Sequence, residues 1–131
     1  MRIRRQLVER IEWSAGRPVV VFGLEWCEFT WSARKVLDRY GIPFCAVDLD
    51  SVAYQEGDRG ARIREVLHAR TGIASLPLIF IGGELVGGCT DLFERLKNQR
   101  LAEPLLRVGV AYDLSANDDP YDDLPRWMHR R

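Results

Sequence analysis

The sequence is short of several things that would announce a function. Nineteen basic and nineteen acidic residues cancel to a net charge of zero, so there is no global field to hold a nucleic-acid backbone or an anionic membrane surface. No stretch approaches the roughly 20 apolar residues of a membrane span. The cationic opening MRIRRQLVER lacks the apolar centre of a signal peptide. Cysteine is scarce: Cys27, Cys45 and Cys89 form an odd set without C-x-x-C or metal-ligand spacing. That pattern points to a reducing compartment, the cytoplasm, rather than to a secreted disulfide framework. There are no internal repeats. What remains is a chain of 131 residues, long enough for one compact domain to bury a core without disulfides or a structural metal.

What is present is strongly patterned. Ile3, Leu7 and Ile11 recur at helical spacing and predict a leading helix that SAGRP ends. PVVVF is a short, continuous apolar run, as in a strand covered on both faces at the centre of a sheet. After the loop GLEW, residues Phe29, Ala33, Val36, Leu37 and Tyr40 share one face of a helix that Gly41 and Pro43 terminate. FCAVDLD reads as a second strand, and Ile63, Val66 and Leu67 mark a helix that closes at Thr71-Gly72. LPLIFIGGELVGG reads as two strands joined by a Gly-Gly turn. A last helix is expected from about Asp91 through Leu92, Phe93 and Leu96.

The order βαβαββα predicts an α/β fold, a mixed sheet with helices on both faces. The segment from Asn117, NDDPYDDLPRWMHRR, shows no periodicity and is expected to form no regular element. Its Tyr121, Leu124, Trp127 and Met128 could dock on the domain or on a partner. The chain therefore divides into a helical extension over 1–16, a domain over 17–109 and a tail over 110–131.

Three elements carry chemistry. Cys27 opens the helix that follows the first strand, where the partial positive charge and free backbone N–H groups favour a thiolate, the nucleophilic form. Cys45, inside an apolar strand run, reads as core filling. Pro77, within SLPLIF, belongs at a strand's first residue or in a cis bond, and such a bend leaves the N–H and C=O of Leu76 free to pair with an extended ligand. In VGGCTD, two glycines lead into a helix whose first turn carries Thr90 and Asp91, a site suited to an amino-acid-like head group. Taken singly, each has a plainer reading: a small buried hydrophobe, a turn, an ordinary helix cap.

Taken together and in order, WC, TGIASLP and GGELVGGCTDL resemble the glutaredoxins, a family of the thioredoxin fold, from about Pro18 to Leu106. TGIASLP is similar to the family's TGxxTVP, and GGELVGGCTDL to its glutathione-binding segment. The resemblance implies a thioredoxin-like fold with a central mixed four-stranded sheet, extended here by the N-terminal helix and the C-terminal tail. It implies a glutathione-dependent thiol–disulfide oxidoreductase in which Cys27 attacks mixed disulfides of glutathione. Trp26, Phe29, Leu76, Pro77, Gly88, Cys89, Thr90 and Asp91 would line the glutathione site, Leu76 pairing with the tripeptide backbone and Thr90 and Asp91 receiving its γ-glutamyl end.

Dithiol members of the family carry C-P-Y-C and monothiol members C-G-F-S. The motif C-E-F-T resembles the latter, with Glu28 and Thr30 in place of Gly and Ser. Thr30 cannot resolve a disulfide, but its hydroxyl can donate a hydrogen bond to the Cys27 thiolate. A one-cysteine cycle is implied, with Cys27 and Thr30 as its catalytic residues and glutathione as co-substrate. The implied partners are glutathione or another small thiol and a protein disulfide or mixed disulfide, met by a monomer. Two alternatives follow from the same resemblance. Members of the C-G-F-S kind can hold a [2Fe-2S] cluster between two protomers, with two protein cysteines and two glutathiones as ligands, which would make Cys27 a metal ligand. A specialised redox accessory or binding module for one dedicated partner is the other. Leu24 stands where the family usually has a Lys, and Ile73 and Ala74 where it often has an Arg or Gln. Both family residues help hold the glycine carboxylate of glutathione. Glu25 and Glu28 instead flank Cys27 with negative charge.

Overall fold

The computed structural model describes residues 18–110. The helix expected over 1–16 and the tail with Tyr121, Leu124, Trp127 and Met128 lie outside the described residues. Within them, VVVFG forms strand β1 (Val19–Gly23), followed by helix α1 (Glu28–Arg39) and strand β2 (Cys45–Asp48). Two single 3-10 turns lead into helix α2 (Arg59–Thr71), which Gly72 closes. The hairpin follows as β3 (Leu78–Ile81) and β4 (Glu84–Gly87), then helix α3 (Cys89–Lys97) and a short helix α4 (Ala102–Arg107). The sheet order is β2-β1-β3-β4. β1 runs parallel to β2 and antiparallel to β3, and β3 antiparallel to β4, so the sheet is mixed.

The continuous apolar runs are explained by two-sided burial. Side chains alternate across a strand, and here both faces are covered. Val19, Val21, Ile79 and Ile81 pack with Ala33, Val36, Leu37 and Tyr40 of α1 and with Leu92, Phe93 and Leu96 of α3. Val20, Phe22, Leu78 and Phe80 pack with Ile63, Val66 and Leu67 of α2. Phe22 and Phe80 meet edge to face across the second layer, centroids 5.6 Å apart.

Three expectations need correction. The last predicted helix starts at Cys89, not near Asp91, because Gly88 is its N-cap. A further helix, α4, was not foreseen: Leu101 and Leu105 bury one turn apart in the first layer, while Pro104, in the first turn, interrupts the pattern without breaking the helix. Cys45 is not a core residue but half-buried at the start of edge strand β2, packed on the second layer. Among the described residues no helix is long and apolar enough to cross a membrane.

Candidate active site

β1 and β2 end side by side, Gly23 opposite Asp48, and the connection from β1 to α1 lies above that edge. Asp50 Oδ1 accepts a hydrogen bond from the Glu25 N–H at 2.7 Å, which ties the loop to the end of β2. Cys27 is the N-cap of α1, with extended backbone (φ −117°, ψ 123°). Its carbonyl accepts the first helical bond from the Trp31 N–H at 3.0 Å. The side chain makes no capping bond, which leaves a half-buried sulfur at the positive end of a helix of 12 residues.

Thr30 is bonded to the loop before Cys27. It lies on the same stripe of α1 as Ala33 and Leu37, three and seven residues on, and is fully buried. Its Oγ1 accepts from the Leu24 N–H at 3.2 Å, and its side chain fills the space above Gly23, where an added Cβ would run into Thr30 Cγ2. That bond shapes the loop before Cys27 and leaves the hydroxyl proton for another acceptor. Phe29 is half-buried against the first apolar layer. Trp26 is 80% exposed.

The two other segments converge on this turn. The Leu76–Pro77 peptide is cis. Pro77 is buried and Leu76 half-buried just ahead of the ladder, whose first β1–β3 pair is Phe22 with Leu78. A Cβ on Gly88 would sit 3.6 Å from the Pro77 carbonyl oxygen, so the hairpin's exit passes close over the proline. Gly87 has φ 129° and its missing Cβ is the space taken by the Asp91 side chain. Asp91 Oδ2 accepts from the Gly88 N–H at 2.9 Å, one half of a capping box. Thr90 and Asp91 are both exposed. The plain helix-cap reading thus holds for one Asp91 oxygen.

Cys89, the first residue of α3, is buried in the layer between α3 and α1. Burial first, and the neighbouring Cys27 second, push its thiol from 9.0 up to about 12. It is a protonated S–H at neutral pH. Cys27 and Cys89 stand 62 positions apart in the sequence, and only the resemblance brought Cys89 to the site.

The cations that could offset the absent lysine are engaged elsewhere. Leu24 is half-buried, Ile73 packs on the second layer and Ala74 is exposed. Arg34 Nη1 lies 3.3 Å from Asp48 Oδ2, and the Arg70 guanidinium lies over the Phe80 ring at 5.7 Å. Among the described residues no group of three His, Cys, Asp or Glu side chains could hold a metal ion.

Comparison with known proteins agrees with this geometry. The family model named Glutaredoxin matches residues 19–86, stopping just short of the Gly87-Gly88-Cys89 turn. Monothiol glutaredoxin-S10 of Oryza sativa subsp. japonica is 31% identical over 96 residues, covering 73% of this chain and 56% of that protein. The chain therefore spans little more than half the length of that relative. Glutaredoxin-C6 of the same organism is 34% identical over 110 residues, covering 84% of this chain and 93% of that one. A crystal structure of a buckwheat glutaredoxin–glutathione complex superposes with a TM-score of 0.69 at 28% identity, covering 82% of this chain and 96% of the other. On its matched residues, its strand order and its relatives, the chain belongs to the glutaredoxin family and has the thioredoxin-like fold.

Proposed function

We propose that this glutaredoxin is a glutathione-dependent thiol–disulfide oxidoreductase that works through one cysteine, Cys27. The observation that carries the reading is the convergence of three segments: an N-cap sulfur on α1, the cis Leu76–Pro77 step and the Gly88-Cys89 turn. In the first step the Cys27 thiolate attacks the glutathionyl sulfur of a mixed disulfide. A Cys27–glutathione disulfide forms and the substrate thiolate leaves, taking a proton from water. A second glutathione thiolate then attacks the bound glutathionyl sulfur, which releases oxidised glutathione and restores the Cys27 thiolate. Each exchange is a displacement along the sulfur axis, with no electrons gained or lost by the protein over the cycle.

In this reading Leu76 offers its backbone to the tripeptide, Trp26, Phe29 and Pro77 wall the site, and Gly88, Cys89, Thr90 and Asp91 receive the γ-glutamyl end. Thr30 acts as a positioning residue through Leu24. Cys89, held protonated, is a poor resolving nucleophile. A buckwheat relative was crystallised with glutathione, which supports the tripeptide as co-substrate, and the second partner would be a protein mixed disulfide met by a monomer. The unpaired cysteines support a reducing compartment, the cytoplasm, although relatives such as the Arabidopsis thaliana monothiol glutaredoxin-S12 and glutaredoxin-C5 are chloroplastic. A [2Fe-2S] cluster shared between two protomers would ask one thiolate of each chain, which would be Cys27, with glutathione supplying the remaining ligands.

The test is intact mass spectrometry after incubation with oxidised glutathione. One glutathionyl adduct is expected, lost in Cys27→Ser and kept in Cys45→Ser. An adduct that persists in Cys27→Ser and maps to Cys45 refutes the assignment.

A further inference from the structure

Beside the site the fold leaves two indoles uncovered. Trp26 is 80% exposed and Trp31 47% exposed, and their rings meet edge to face with centroids 6.3 Å apart. They are held in place: Trp31 Nε1 donates to the Glu25 carbonyl at 2.6 Å, and the Glu25 N–H is in turn fixed by Asp50. The pair thus forms a rigid apolar step next to Cys27. Its border is acidic. Glu25 and Asp50 are exposed beside it and bonded into the same turn, Arg34 is paired with Asp48, and Lys35 stands one turn along α1 from Trp31. Aromatic faces with carboxylates beside them attract cations, guanidinium groups above all, because the ring face and the carboxylate act on the same charge.

Resting on the reading of Cys27 as the exchanging thiol, we propose that Trp26 and Trp31, bordered by Glu25 and Asp50, form a docking surface for a cationic segment of the substrate protein, one with Arg or Lys beside its disulfide-bonded cysteine. The residue next to a cysteine under attack at Cys27 falls within reach of Trp26, its neighbour in the chain. The same border that repels anionic glutathione would then select among protein substrates, favouring basic surroundings and disfavouring acidic ones.

The experiment uses the full chain and two short peptides, each with one glutathionylated cysteine, flanked in one by Arg and in the other by Glu. The ratio of their kcat/KM values is expected to exceed about tenfold in favour of Arg, to shrink as salt rises, and to fall in Glu25→Gln. Trp31→Ala is expected to lower kcat/KM for the Arg peptide several-fold while leaving turnover of a small glutathione–cysteamine disulfide unchanged. Equal kcat/KM for the two peptides at low salt overturns the docking surface and leaves the enzymatic reading intact. No turnover of any of the three disulfides overturns the enzymatic reading. In that case tryptophan fluorescence of Cys27→Ser, titrated with the reduced peptides, decides the docking surface alone: tighter binding of the Arg peptide supports it, equal binding refutes it. A dimer in sedimentation that Trp31→Ala dissolves assigns the pair to a second copy and overturns the proposal.

Discussion

Cys27 and Cys89 show how two chemically identical side chains are given different work by position. Cys27 sits on a helix cap with its sulfur half-buried, whereas Cys89 is shut between two helices with its thiol raised to about 12. A raised thiol pKa has a definite effect on stability. Between 9.0 and about 12 the unfolded state loses the Cys89 proton and the native state keeps it, so fewer protons are bound on unfolding and stability falls as pH rises. The stabilisation is whole below that window and is lost across it, at up to about 1.4 kcal/mol per pH unit. Urea unfolding at about pH 8 and about pH 10 should show the native protein losing on the order of 1 kcal/mol more than Cys89→Ala over that step. Parallel losses in the two proteins would mean that Cys89 is not held protonated. Leu24 gives a second prediction at this scale. A charged hydrogen bond is worth about 1.5 to 3 kcal/mol, so Leu24→Lys should lower the KM for glutathione roughly ten- to hundred-fold, with an effect that fades in high salt. An unchanged KM would show that the glycine carboxylate is already held some other way.

At the scale of elements, the loop before Cys27 depends on an interlock between the end of β1 and the first turn of α1. Thr30 occupies the space a side chain at Gly23 would need and accepts the Leu24 N–H. Gly23→Ala should therefore cost about 1–3 kcal/mol by overpacking. Thr30→Ala alone should cost about 1 kcal/mol for the lost hydrogen bond, and the double variant should recover much of the Gly23→Ala loss. A double-mutant cycle by urea denaturation measures this, and simple additivity would mean the two residues are not in contact. The regular elements around this interlock could be read in the sequence, because runs such as VVVF and spacings such as Ala33, Val36, Leu37 record burial with periods of 2 and 3.6 residues. Two things could not. α4 is a helix of 6 residues, too short for a period to repeat, and its Leu101 and Leu105 offer only one matching interval. The contact of Thr30 with Gly23 and the Leu24 N–H also escaped, because the C-x-x-T spacing fixes which turn Thr30 is on but not what its side chain packs against. Thr30 stands three residues before Ala33 on the buried stripe, which was the signal available. Trp31, by contrast, follows the period: it stands two residues from both Phe29 and Ala33, opposite the apolar stripe of α1, and is exposed.

For the molecule as a whole, the sheet divides the apolar interior into two layers with separate membership. Ile79 belongs to the layer under α1, α3 and α4, and Ile63 to the layer under α2, so a methyl group removed from one leaves its gap on the opposite side of the sheet from the other. The backbone ladder is shared, however: β1 and β3 contribute alternate residues to both layers, so neither layer can come apart without the strands that support the other. These two facts predict independent local costs within one cooperative transition. Ile79→Val and Ile63→Val should each destabilise by about 0.5–1.5 kcal/mol, and the double variant should lose their sum to within about 0.5 kcal/mol. All three variants should unfold in a single urea transition with coincident fluorescence and circular dichroism. A second transition in any of them would show that the α2 layer can melt while β1 and β3 stay paired. Because Cys27, Pro77 and Gly88 all stand on elements of the first layer or on the strands common to both, the site would then survive the loss of α2. Retained catalytic turnover of a glutathione–cysteamine disulfide in the partly unfolded state would reveal it. With the strands shared as they are, the expected result is that turnover and the fold are lost together.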